Sequence, residues 1–443
     1  SPYTLSLHDA LPILENMIDL IVVGAGPAGL MTAKRAAELG LKVKVIELKK
    51  DITNVKRACS AQFVTDEGYE NETVKIEDNK IIFTKNGFHI NYTGRLLNII
   101  DNYHHSPSGH KLHLAHPDHR PFAIKFDKGH LLADLWEDCE KLGVELILET
   151  IAYGGKDLGD HVRVDIKSHN ETSSILAKKL VIAEGVNAKL TGLFGLNKGR
   201  TYYGTPFVFS CIMEGTTGFE PQSWNQFYGS EYHPFAEVMI ESAIEGNDAI
   251  ELTIMGTKDL RPNVLFEKFI KDSPMSHHFT NARIIERRGC PVKSYDSLQK
   301  PYSGNVLVIG DSAAHVEVIV QGALMCGYHA ANAINDELMG INGFEKYTSW
   351  WDEAFDFNRT GPLEFVKLYG SLGMRPKYSD EELDYMFSLV EGELVNGNFG
   401  QFEVPKNVWK AILSHKAQIQ SENPILFDKI KNIDELNHEG KLN

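Results

Sequence analysis

The stretch Asp19–Glu47, DLIVVGAGPAGLMTAKRAAELGLKVKVIE, decides how this chain folds. Leu20–Val23 is a short, wholly apolar run, the pattern of a strand buried on both faces. Gly24, Gly26 and Gly29 follow in GxGxxG spacing. Leu30–Leu39 then reads as an Ala-rich helix stopped by Gly40 in a left-handed cap. A second strand, Val43–Ile46, ends in Glu47. Gly24 makes the tight turn, Gly26 lets a pyrophosphate approach the backbone, and Gly29 lets the helix pack close to the strand. The helix N-terminus offers free N–H groups and a positive dipole end to phosphate. A lone GxGxxG is weak evidence, but here strand, helix, second strand and acid all fall at the offsets of a dinucleotide site. The candidate contacts are Gly24, Ala25, Gly26, Pro27, Ala28, Gly29 and, for an adenosine ribose, Glu47.

At 443 residues the chain is long enough for about two or three domains around a large core. Its net charge of −15 argues against a nucleic-acid partner, because phosphate contacts need a basic face. No apolar run approaches the roughly 18 residues of a membrane span, so at most peripheral membrane contact is expected. Cys59, Cys139, Cys211, Cys290 and Cys326 lie far apart and are odd in number. That usage fits a reducing cytoplasm and excludes CxxC zinc sites and clustered iron–sulfur ligands. Residues 1–16 are set aside, because SPYTLSLHDALPIL reads as translated adapter sequence and a natural start is expected at Met17.

Beyond Glu47, residues 61–122 alternate turns with the short strands Lys80–Thr84, Phe88–Tyr92 and Lys111–Ala115. The segment carries His104, His105, His110, His113, His116 and His119, and the last four recur every third residue. Pro117 and Pro121 prevent a continuous helix, and in a strand that spacing puts neighbours on opposite faces. No Cys or acid pair accompanies them at ligand spacing, so solvated or substrate-facing histidines are expected rather than a metal site. Lys128–Leu142 reads as a helix capped by Gly143, with strands at Val144–Leu148, His161–Ile166 and Leu180–Ile182. The last runs into Ala183-Glu184-Gly185, a polar turn where an α/β sheet presents ligand-binding groups; an ordinary strand-to-loop turn is the alternative.

Residues 200–290 add strands at Phe207–Met213, Ala236–Glu241 and Ala249–Met255 and a helix at Val264–Lys271. Asn305–Ile309 is another buried strand, ending in Gly310-Asp311-Ser312-Ala313 before a helix from Gly322 through Leu338. Asp311 either accepts ribose or ribityl hydroxyls or caps a helix, and the free N–H groups there suit an electron-rich ring edge. The rest reads as helical, anchored by Trp350, Trp351, Phe355 and Phe365. The expected fold is α/β. Residues 17–60, 123–198 and 291–338 form a Rossmann-like nucleotide domain, 61–122 and 199–290 an inserted antiparallel-sheet substrate domain, and 339–443 a C-terminal helical region.

GAGPAG with Glu47, Ala183-Glu184-Gly185 and Gly310-Asp311-Ser312-Ala313, in this order, resemble the three FAD contacts of the glutathione-reductase-type flavoproteins. Within these the chain resembles the geranylgeranyl reductases and their relative, electron-transfer-flavoprotein:quinone oxidoreductase, over roughly residues 17–335. Lys56-Arg-Ala-Cys-Ser60 stands where geranylgeranyl reductases carry a Cys-containing flavin loop. The resemblance implies FAD, with the glycines and Ala28 on the pyrophosphate, Glu47 on the ribose, and Glu184 and Gly185 in the middle contact. It places Gly310 and Asp311 at the ribityl chain and Cys59 near the flavin. Gly322, Ala323 and Leu324 would direct backbone N–H groups at the isoalloxazine. The aromatic-Phe-Pro-Lys motif of the reductases is not found; Trp224-Asn-Gln-Phe-Tyr228 and His233-Pro-Phe235 occupy its region.

Reduction of a C=C bond needs a hydride from flavin and a proton from an acid. His315, bordered by Glu317, is a candidate donor; the alternative is a loop-capping histidine. The expected activity is an FAD-dependent reductase of an apolar or unsaturated small molecule. A flavin monooxygenase of the aromatic hydroxylase type and an electron-transfer subunit are the rivals. Only one GxGxxG exists, so electrons are expected from transiently bound NAD(P)H or from a ferredoxin or other donor protein.

Overall fold

Val23 stands in register with Ile46 on one side and Ile182 on the other, and Ile182 in turn with Val308. These four residues close strands that all run the same way, so four strand ends reach one edge of one sheet. The computed structural model describes residues 17–433 apart from 247, 316, 356–357, 359–377 and 401–402. The expected leader, residues 1–16, and Phe365 lie outside the described residues.

The chain divides into two units. The first holds residues up to Asn54, Gly129–Tyr202 and Tyr295–Asp352; the second holds Val55–Lys128, Tyr203–Ser294 and the chain from Glu353 on. In the first unit the elements in chain order are β1 (Ile18–Val23), α1 (Pro27–Glu38), β2 (Val43–Ile46), α2 (Lys128–Lys141), β3 (Glu145–Ile147), β4 (Thr150–Asp157), β5 (Val162–Ser168), β6 (Glu171–Ile182), β7 (Val306–Val308) and α3 (Ile319–Leu338). The sheet order is β3-β2-β1-β6-β5-β4, with β7 also on β6. Strand β6 serves two ladders. Glu171–Ala177 pair antiparallel with β5, and Ala177–Ile182 pair parallel with β1. Leu20, Ile21 and Val22 are fully buried, as a strand covered on both faces must be.

Helix α1 begins at Pro27, not at Leu30 as expected. Gly26 is its N-cap, and proline suits the first helical position because its missing N–H has no partner there. Helix α3 likewise opens at Ile319 rather than Gly322. Ile319 sits at φ +52°, a strained conformation for a β-branched residue, so nothing in its side chain announces a helix start. The two helices touch closely. A Cβ on Gly327 would lie 2.5 Å from the Ala28 carbonyl oxygen.

The second unit is built on an eight-stranded sheet, ordered Arg283–Pro291, Phe207–Glu214, Ile250–Gly256, Val238–Ser242, Ser223–Phe227, Asp101–His105, Lys111–Leu114 and Leu394–Val395. It is antiparallel except where Ser223–Phe227 meets Asp101–His105 and Leu394–Val395 meets Lys111–Leu114. Helix Pro262–Asp272 lays Leu265, Phe266 and Phe269 over Cys211, Val238, Ile240, Leu252 and Ile254. The helices Asp380–Ser388 and Val404–Ser414 bury Phe387, Val408 and Trp409 with Leu112, Leu114 and Tyr228. The expected separate region 339–443 is thus divided at Asp352, because Gly343–Ala354 belongs largely to the first unit.

Five of the six histidines of 104–119 join this framework, and His119 is exposed. His104 bonds Tyr228, His105 bonds Asn225, His113 bonds Asp101 and His116 pairs with Asp66, while His110 meets Glu391. Burial lowers the imidazole of His104 to about 3, which keeps it neutral. Among the described residues no helix is long and apolar enough to cross a membrane.

Candidate functional site

Each strand end hands the chain to a turn, and backbone bonds join the turns. Gly24 N–H donates to Ile46 O at 2.9 Å, Ala183 N–H to Val23 O at 2.8 Å, and Ile309 N–H to Ile182 O at 3.0 Å. Gly24 has φ +107°, and a Cβ there would lie 2.3 Å from the Ala183 carbonyl oxygen. Gly310, at φ +61°, would bring a Cβ within 3.3 Å of the Ala28 Cβ. The early, middle and late turns therefore occupy one edge in mutual contact. That is where an open α/β sheet binds a nucleotide.

The side chains lock this arrangement. Glu47 accepts the Ala25 N–H on Oε2 at 2.8 Å and the Lys49 N–H on Oε1 at 2.9 Å. Each carboxylate oxygen keeps a second lone pair for a hydroxyl. Glu184 turns back into the fold, accepting the Thr191 N–H at 2.9 Å and hydroxyl at 3.1 Å. Its carboxylate is spent on the helix Lys189–Leu193, so the expected contact at 183–185 falls to backbone. Asp311 Oδ1 accepts the N–H of Val318, the residue at the N-cap of α3, at 2.9 Å.

The late helix and His315 both depart from the simplest expectation. Because α3 opens at Ile319, the amides left free by its first turn are those of Ile319, Val320 and Gln321. Those of Gly322, Ala323 and Leu324 lie one turn inside and serve the helix ladder. His315 is buried at 2% exposure, and its Nδ1 donates to the Tyr295 carbonyl oxygen at 2.6 Å. Burial pushes its pKa down and the nearby Arg200 charge adds to this, against the Tyr295 bond and Asp296. Its Nδ1 clamps the Tyr295 carbonyl, and burial favours the neutral ring.

Arg200 was not legible from sequence. Its guanidinium reaches the Ser312 carbonyl oxygen at 3.0 Å, Ala313 at 3.3 Å and Ala314 at 2.9 Å, and Nε bonds Asp296 O at 2.5 Å. One cation thus satisfies the carbonyls of the whole late turn. Burial lowers its pKa to about 10, which leaves it charged. No motif marks it, since Arg200 lies 112 residues before Ser312 in the chain. Beside Glu47 a pocket of about 360 Å³ is lined by Leu48, Glu149, Ile151, Lys167 and His169. In the second unit Lys128 Nζ lies 3.5 Å from Cys59 Sγ.

Residues 18–207 match the family described as pyridine nucleotide-disulphide oxidoreductase. Digeranylgeranylglycerophospholipid reductase of Methanocaldococcus jannaschii is 25% identical over 407 residues, 87% of this chain and 93% of its own length. The protein of that name from Methanosarcina acetivorans is 25% identical over 77% of this chain and 82% of its own. A geranylgeranyl bacteriochlorophyll reductase-like structure from Thermoplasma acidophilum superimposes with a TM-score of 0.70 at 16% identity, over 94% of this chain and 99% of its own. The p-nitrophenol 4-monooxygenase of Pseudomonas putida gives 0.62 at 15% identity, over 90% and 97%. Structural likeness at such identity speaks for the fold alone, and this fold serves more than one flavin chemistry.

Fold and strand-end site define the class: the chain is an FAD-dependent oxidoreductase. Within that class its sequence is similar to the digeranylgeranylglycerophospholipid reductases named above. The residues fit the cofactor. A Cβ on Gly26 would meet nothing within 4 Å, so the turn is open where a pyrophosphate would approach. Gly29 has no such room, since a Cβ there would lie 1.9 Å from the Gly24 carbonyl oxygen.

Proposed function

We propose that this chain reduces carbon–carbon double bonds of an apolar, isoprenoid-like lipid. The observation that carries the reading is the meeting of the Gly24, Ala183 and Gly310 turns on one sheet edge. The names of the relatives from Methanocaldococcus jannaschii and Methanosarcina acetivorans supply the substrate class. On this reading the first unit is the FAD-binding domain and the second the substrate domain. The glycine turn and α1 hold the pyrophosphate, Glu47 the adenosine ribose, and the pocket walled by Leu48 and Ile151 the adenine. Asp311 accepts ribityl hydroxyls while holding the Val318 N–H, and the amides of Ile319–Gln321 face the electron-rich end of the ring. When bound, the flavin supplies the hydride. In the second unit Cys59 Sγ and Lys128 Nζ, 3.5 Å apart, are the candidate proton pair of this reading. Electrons arrive from NAD(P)H bound transiently or from a ferredoxin-like protein.

The test is anaerobic incubation of the reduced, flavin-loaded protein with a polyprenyl lipid, followed by mass spectrometry. Each saturated bond adds a pair of hydrogen atoms. Products carrying a new oxygen atom in air would favour a hydroxylase, and an unchanged lipid would overturn the reading.

A further inference from the structure

In the second unit one buried place between two sheets is ionic. Glu241 and Glu251 are cross-strand partners, and like charges directly opposite repel. Lys125 Nζ lies 2.8 Å from Glu241 Oε1 and 2.8 Å from Glu251 Oε2, and none of the three side chains is more than 3% exposed. Arg288, across the sheet, pairs with Glu245 and Glu286 and acts on Glu251. Two carboxylates against one ammonium leave excess negative charge away from water. Such a cluster costs stability beside an apolar packing.

Its position relative to Cys59 gives it a task. Gln62 Nε2 donates to Glu241 Oε2, and the Ser60 hydroxyl bonds the same carboxylate. Gln62 is the register partner of Lys125 in the antiparallel pair Gln62–Val64 and Ala123–Phe126. Glu241 therefore grips both members of one rung. The ladder continues outward, with Phe126 N–H donating to Ala61 O at 2.9 Å. Three residues from each member of that rung stand Cys59 and Lys128, which meet at 3.5 Å.

We propose that Glu241 is a positioning residue for the Cys59–Lys128 pair: its carboxylate holds the Gln62–Lys125 rung, and the rung sets where Sγ meets Nζ. The relevance to reduction rests on the function proposed above, but the geometry of the pair is readable without flavin or lipid. Protonation removes the anionic acceptor from Gln62 and Ser60 and loosens the grip. Burial raises Glu241 to about 7, so the change falls near neutral pH. The groups that face it are Lys125 from Ala123–Phe126, Glu251 from Ile250–Gly256, and Ser60 and Gln62 from the Cys59 side; Arg288 acts through Glu251.

The test is iodoacetamide labelling of the full chain, read at Cys59 and Cys290 by peptide mass spectrometry. Cys290, also part-exposed and in the same unit, is the internal reference. In the wild type the Cys59:Cys290 ratio should rise as pH falls through about 7. In Glu241→Gln it should be flat, and at alkaline pH about fivefold above wild type, as loss of one hydrogen bond implies. Gln62→Leu keeps the triad but frees the rung, and its ratio should lie about fivefold above wild type at alkaline pH, so it decides the matter alone if Glu241→Gln does not fold. Ratios equal to wild type at every pH overturn the proposal. A shifted ratio in a protein that reduces no lipid supports it while sinking the reductase reading.

Discussion

Ser312 donates its hydroxyl to the carbonyl oxygen of Gly185 at 3.0 Å. Nearly 130 residues separate the two in sequence, at the ends of β7 and β6. The bond exists because those strands are parallel neighbours in register, and it fixes the spacing between the middle and late turns. Tied also by the Ala183 N–H to Val23 O, the edge is a preformed cradle rather than a set of loops waiting for a ligand.

Gly26→Ala and Gly29→Ala should part company. The first adds a methyl to open space at a conformation alanine accepts, so the thermal midpoint should hardly move. Its FAD affinity should fall tenfold or more, about 1.4 kcal/mol, because the methyl enters the pyrophosphate's approach. Gly29→Ala forces α1 off β1 and should cost about 1–3 kcal/mol or more of stability. Urea melts and fluorescence titration of FAD read both.

Arg200→Met should destabilise the late turn by about 2–4 kcal/mol, since several carbonyls lose a charged donor at once. Arg200→Lys should recover only part of this, because an ammonium cannot span them as the guanidinium fork does. Flavin should dissociate faster from both, visible as lost yellow colour on gel filtration.

His315→Asn keeps a donor for Tyr295 and should keep activity within about tenfold with an unchanged pH profile. A general acid would lose about 10²–10⁴-fold. His315→Leu should instead cost about 1–3 kcal/mol in a urea melt by orphaning the carbonyl.

Glu241 makes the pH dependence of stability specific. Burial raises it from 4.5 to about 7 against the pull of Lys125. Between those values the folded protein holds a proton that the unfolded chain has released, so this group's contribution falls as pH rises. Lys125 is raised and Glu251 lowered; their contributions fade only in strong alkali and in acid respectively, and stay constant across the same window. Glu241→Gln should therefore gain stability relative to wild type as pH goes from about 5 to 8, read as the difference in urea midpoints.

How much could be read beforehand follows from the range of each interaction. Leu20–Val23, the three glycines and Glu47 lie within one βαβ unit, where spacing alone dictates who meets whom, and the structure puts them there. The start of α3 was misplaced because Ile319 adopts a backbone conformation its side chain disfavours, which local propensity cannot announce. His315 suits an acid by residue type, and the Tyr295 carbonyl that holds its Nδ1 comes from across a loop, which no local pattern shows.

By itself the order of residues determined a dinucleotide cradle, three turns to build it and an α/β sheet to carry them, because each is a local pattern of apolar runs and glycines. Only the tertiary structure decided that Arg200 clamps the late turn, that Glu184 is spent on a helix, and that Lys125 bridges two glutamates beneath Cys59. Those are contacts between polar side chains far apart in the chain. Their energy depends on burial and on ångström-scale placement, and neither exists until the strands have found their register.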